Sequence, residues 1–123
     1  MLRTVDALDD IDGRDRGAEI AAALERLWVR FLPEIRARVE LLETAALALA
    51  GGAFSPAQRE SAASAAHKLA GTLGTFSLAR GTAVARELEL LYSGDDEPSA
   101  ETAAQMAAEL RNLIEGRAQF PAN

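Results

Sequence analysis

The chain has no cysteine, so it can build no disulfide framework, no thiolate nucleophile and no cysteine-based zinc or iron–sulfur site. That usage suits the cytoplasm, which is the expected location. No run approaches the roughly 18 to 20 apolar residues that cross a bilayer, and the N-terminus lacks the charged-then-apolar pattern of a secretion signal. No membrane association is expected. Aromatic residues make up only 5% of the chain, and alanine dominates the apolar class, which favours closely packed helices over a sheet of branched and aromatic side chains. Basic residues are outnumbered, 13 Lys and Arg against 19 Asp and Glu, and the net charge of −6 works against nucleic acid, whose phosphates need a basic surface. Histidine occurs once, at His67.

What is present is globular. Hydrophobic residues at 49% and charged residues at 26% over 123 positions suffice for one domain with its own core. Residues 1–17, with Asp6, Asp9, Asp10, Asp12 and Asp15 and the breakers Gly13 and Gly17, read as a mobile arm or linker, which leaves 18–120 as the domain. From Ala18, the spacing of Ile20, Leu24, Leu27, Trp28 and Phe31 predicts an amphipathic helix with Trp28 and Phe31 in the core. Pro33 forces a kink or a restart. Ile35, Val39, Leu42, Ala46 and Leu49 then line a second face that stops at Gly51 and Gly52.

Ser55, Pro56 and Gln58 form a capping-box pattern with proline at the first helical position, and the helix they open carries through at least Gly74. Phe76, Ser77 and Leu78 form the turn. Val84, Ala85, Leu88, Leu91 and Tyr92 give the next stripe, with Arg86 and Glu87 or Glu89 on its wet side, ending at Ser93 and Gly94. The segment 95–98 is an exposed acidic loop; Ser99 caps a last helix with Ala103, Met106, Leu110, Leu113 and Ile114 on one face, fading between Gly116 and Pro121. Short links between long helices imply an all-α, antiparallel, up-and-down four-helix bundle with an extra N-terminal or kinked leading helix.

The third segment holds the histidine. Ala62, Ala66, Leu69, Leu73 and Phe76 form an apolar stripe for the core, while Ala63, Ser64, Ala70, Gly71 and Gly74 surround His67 with small residues at helical offsets. Each glycine costs about 1 kcal/mol inside a helix relative to alanine. Either another backbone packs closely there, or a partner needs the clearance.

The chemistry open to this stretch is narrow. No Glu-x-x-His pairing prepares a metal site, since Ser64 lies three residues before His67. There is no G-x-S-x-G elbow, and the glycines do not form a phosphate-cradling loop between a strand and a helix. No metal or cofactor is expected. Two readings remain: an incidental or structural histidine, or an exposed imidazole that attacks phosphorus through its free lone pair while a partner supplies the rest of the catalysis.

The run Ala66-His67-Lys68-Leu69-Ala70-Gly71, followed by Gly74, Phe76 and Leu78, resembles the signature of the histidine-containing phosphotransfer (HPt) domains of two-component phosphorelays. That pattern is roughly His-x-Leu-Lys-Gly, then a hydrophobic residue, a glycine and another hydrophobic residue. His67, Leu69, Gly71, Phe76 and Leu78 match in place, whereas Ala70 stands at the family's lysine and Ser77 at its glycine ten residues after the histidine. The resemblance implies a four-helix bundle whose His67 accepts a phosphoryl group from the aspartyl phosphate of a receiver domain and relays it to another receiver. It implies a carrier and not an enzyme, with Mg²⁺ held by the receiver. The implied partners are response-regulator receiver domains and a hybrid sensor histidine kinase; a carrier that must release its partner has no need to dimerise, so a monomer is expected. The binding residues expected around His67 are Ser64, Lys68, Gly71 and Gly74. The competing expectation is a helical interaction module that docks a signalling partner without being phosphorylated.

Overall fold

The apolar periodicities resolve into four helices, α1 (Leu2–Ala50), α2 (Pro56–Thr75), α3 (Ala79–Ser93) and α4 (Ala100–Gln119). They are seen in a computed structural model that describes the backbone of residues 2–119 and the side chains of residues 15–119. Each helix packs against its neighbours in chain order and α4 closes against α1, which is the up-and-down four-helix bundle expected. The arm expected over residues 1–17 falls mostly outside the described side chains, as does Pro121 outside the described chain.

The core combines large side chains with buried alanines. Trp28, Ile35, Val39 and Leu42 come from α1, Leu69 and Leu73 from α2, Val84, Leu88 and Tyr92 from α3, and Leu110 and Ile114 from α4. Buried alanines, among them Ala62, Ala66, Ala85, Ala103 and Ala107, let the helices approach closely around those larger side chains. Gly81 belongs to the same device: a Cβ there would stand 3.1 Å from Leu73 Cδ1, so its absence serves the α2–α3 contact.

Two expectations are corrected. The leader and the second segment are one helix, α1, which runs through Pro33. Proline removes one backbone hydrogen bond at a cost of about 3 kcal/mol in a helix interior. Val29 and Pro33 both lie on the exposed face, where water can take the freed carbonyl. Trp28, Ile35, Val39 and Leu42 are buried on the other side, each worth about 1.5–3 kcal/mol, so packing outweighs the local preference to break. Phe31 is the second correction. It is exposed, together with Ile20 and Leu27, while Trp28 alone of that group is fully buried, edge-on to Phe76 at 5.2 Å.

The helix ends follow their residues. Ser55 Oγ accepts from the Gln58 N–H at 3.1 Å and Gln58 Oε1 accepts from the Ser55 N–H at 2.9 Å, the reciprocal box that starts α2. At its other end the Leu78 N–H donates to the Leu73 carbonyl and the Ser77 N–H to the Gly74 carbonyl, with Ser77 in the left-handed region at φ 59°. The same arrangement ends α1, but with Gly52 at the left-handed position, φ 73°.

Charge pairs are concentrated on α4. Arg36–Glu115, Arg111–Glu43 and Arg117–Glu25 tie it to α1, and Arg80–Glu109 ties it to α3. Forked Arg–carboxylate pairs of this kind fix orientation as well as adding attraction. Arg59 on α2 donates to the carbonyls of Gly94 and Asp96 and so pins the α3–α4 loop.

Candidate functional site

His67 lies midway along α2, far from either end of Pro56–Thr75, so its backbone is held by a full set of helical bonds. Ala66 and Leu69 beside it are buried, which fixes the rotation of the helix and turns His67 outward. Its side chain is 74% exposed. Nδ1 lies 2.8 Å from Glu89 Oε1 and 3.2 Å from Oε2, across the α2–α3 interface.

A carboxylate can only accept, so in the neutral imidazole this contact favours the tautomer with its proton on Nδ1. Nε2 then carries the lone pair, and among the described residues it makes no hydrogen bond. The ring is thus oriented by one carboxylate, and in its neutral form that contact leaves the unprotonated nitrogen facing solvent, as a nucleophile requires.

The residues expected around His67 divide by exposure. Ser64, Lys68, Gly71 and Gly74 are exposed and share the outward face of α2 with the imidazole. Lys68 and Ser64 also border a shallow groove toward α1, together with Arg38 and Leu41. Ala70 is buried and Ala63 half-buried, so the small-residue stripe ends at the α3 interface. A Cβ on Gly71 would meet nothing within 4 Å, and one on Gly74 only Thr82 Oγ1 at 3.8 Å, an ordinary contact. Among the described residues, packing requires neither glycine. Of the two explanations open from sequence, clearance is the one this geometry favours.

Glu89 is the residue that sequence reasoning did not single out. The signal was present in the turn: with α2 and α3 antiparallel about Ser77 and Leu78, positions equally distant from the turn lie side by side, and His67 meets Glu89. Among the described residues, no three His, Asp or Glu side chains gather as metal ligands would, and no helix is long and apolar enough to cross a membrane.

A four-helix bundle that offers one oriented, solvent-facing histidine from the middle of a helix is the arrangement that the sequence resemblance implies. The comparison with family models agrees: the Hpt domain model matches residues 26–119, and the chain belongs to the Hpt domain family. Members of this family are phosphocarriers of two-component phosphorelays and not enzymes; they work with receiver and histidine kinase domains. The chain is also similar to Protein RcaC of Microchaete diplosiphon, at 34% identity over 80 residues, covering 65% of this chain and 12% of that protein. It therefore spans about an eighth of that relative's length. No solved structure matches.

Proposed function

We propose that His67 is the phosphoacceptor of this domain, taking a phosphoryl group from the aspartyl phosphate of a response-regulator receiver and passing it to another receiver. The observation that carries this reading is the exposed imidazole with Nδ1 on Glu89 and Nε2 without a partner among the described residues.

In the forward step the Nε2 lone pair forms the N–P bond as the bond from phosphorus to the aspartyl oxygen breaks, and the carboxylate leaves on the receiver. Nδ1 keeps its proton, so the ring gains positive charge as it becomes phosphorylated. Glu89 faces that charge and neutralises it. The reverse step runs through the same contacts. In-line displacement needs the partner's aspartate to approach along the outward direction of Nε2, and Gly71, Gly74 and Ser64 leave that approach low. Lys68, about 100° round the helix, is placed to meet the phosphoryl oxygens from the α1 side. A hybrid sensor histidine kinase is the upstream source this chemistry suits, and a monomer suffices for it.

A buried imidazole would have favoured the docking-module reading without phosphorylation, and the exposure of His67 counts against it. Incubation with a phosphorylated receiver tests the assignment. An acid-labile, alkali-stable label on the wild type that is lost in His67→Gln is expected; labelling that persists in His67→Gln removes the role from His67.

A further inference from the structure

On α3, Thr82, Arg86 and Glu89 fall at i, i+4 and i+7 and make one stripe. Both ends of that stripe are located against α2. Glu89 Oε1 meets His67 Nδ1 at 2.8 Å, and Thr82 Oγ1 lies 3.8 Å from the position of a Cβ on Gly74. His67 and Gly74 are seven residues apart, as are Thr82 and Glu89, so the two antiparallel helices keep one register between these contacts. Arg86 stands between them, level with Ala70 and Gly71.

The space beside Arg86 is open. Gly71 brings no side chain, a Cβ there would meet nothing within 4 Å, and Arg86 borders the same surface depression as Gly74 and Thr82. Nor is the guanidinium engaged elsewhere. Of the four cations on α2 and α3, Arg59 donates to loop carbonyls and Arg80 forks onto Glu109, whereas Lys68 and Arg86 make no hydrogen bond or ion pair among the described residues.

A phosphoryl group on Nε2 would bring two further negative charges next to the Glu89 carboxylate, and that arrangement calls for a cation on the same side. We infer that Arg86 binds the phosphoryl oxygens of phosphorylated His67, reaching across the gap at Gly71 while Lys68 approaches from the other flank. The inference rests on the carrier reading of His67. One helical turn, about 5.4 Å, separates Arg86 from the level of the imidazole, within the span of an arginine side chain. Its planar fork suits two phosphoryl oxygens better than a lysine would. The stripe thus gives α3 a divided task, with Glu89 holding the ring and Arg86 the group it carries.

A small donor separates this role from partner docking. Phosphoramidate, which surrenders its phosphoryl group to an imidazole nitrogen and leaves as ammonia, phosphorylates the chain without a receiver. Phosphorus NMR then follows the last ionisation of the phosphoryl group against pH. In Arg86→Ala that ionisation should move up by about half a pH unit or more, with Arg86→Lys between it and the wild type. Arg16→Ala, which removes the same charge from the exposed N-terminal part of α1, should leave the wild-type curve unchanged. Transfer from a phosphorylated receiver to Arg86→Ala should slow about tenfold. Superimposable titrations of Arg86→Ala and the wild type overturn the inference, even where receiver transfer slows, because the arginine would then be contacting the partner. A wild-type chain that takes no phosphoryl group from phosphoramidate overturns the carrier reading of His67 and this inference with it.

Discussion

Glu89, on α3, holds Nδ1 of His67, on α2, at 2.8 Å while the imidazole side chain stays 74% exposed. The carboxylate engages Nδ1 without covering Nε2. Substituting Glu89 therefore separates orientation from exposure. Glu89→Ala is expected to leave the fold intact, to populate the tautomer protonated on Nε2 in nitrogen NMR spectra, and to slow phosphorylation about tenfold, the size of one charge-assisted hydrogen bond. Unchanged tautomer populations would show that the contact does not select the nitrogen.

Gly71 makes stability and function diverge. A methyl group there has open space, and glycine inside a helix costs about 0.5–1 kcal/mol relative to alanine, so Gly71→Ala should raise the unfolding midpoint. Gly71→Leu should fold as well as the wild type and yet accept phosphate more slowly, since its side chain would stand one turn from the imidazole. Equal transfer rates for wild type and Gly71→Leu in stopped-flow assays would dispose of the clearance argument.

The two ends that share one capping geometry differ in their left-handed residue. Ser77 adopts φ 59° where Gly52 adopts φ 73° in the other. A side chain costs about 1 kcal/mol in that region. Ser77→Gly should stabilise the domain by roughly that amount and Gly52→Ala should destabilise it by a similar one. Urea midpoints at constant slope provide the comparison.

The legible part of the structure was whatever a single helix decides. The capping box at Ser55, the apolar stripe from Ala62 to Leu73 and the outward turn of His67 depend on spacing within α2 alone. The restart that Pro33 allowed does not occur, because its local cost is set against burial of Trp28 and Ile35, which only the assembled bundle supplies. Phe31 matched an apolar period, yet the bundle meets α1 along the face of Trp28, and periodicity does not say how wide the covered stripe is. The relation of Glu89 and Arg86 to His67 stayed out of view for a related reason: it depends on where the turn places the antiparallel register, and a shift by one residue would have moved both to another face.

The acid side of the stability profile should reflect the arginine pairs. Hydrogen bonds from Arg117, Arg80 and Arg36 hold the carboxyls of Glu25, Glu109 and Glu115 below their ordinary value of 4.5. A folded-state pKa below the unfolded one gives stability that is present above about pH 4.5 and is lost as pH falls through the folded value. The wild type should accordingly hold its thermal midpoint from neutral pH to about 4.5 and lose it below, with a shallower loss in Glu115→Gln. These pairs are near the surface, so added salt should reduce the difference. Parallel acid profiles for the two chains would exclude a contribution from Glu115.

The central claim is that His67 carries the phosphoryl group. Its most direct test is site-resolved phosphate mapping of the wild-type chain after exchange with a phosphorylated receiver, by mass spectrometry under alkaline conditions that preserve phosphohistidine. The account predicts a single modified residue, His67, with the modification returned to unphosphorylated receiver when the two are mixed. Phosphate on any other residue, or none on a chain that binds the receiver, would contradict it.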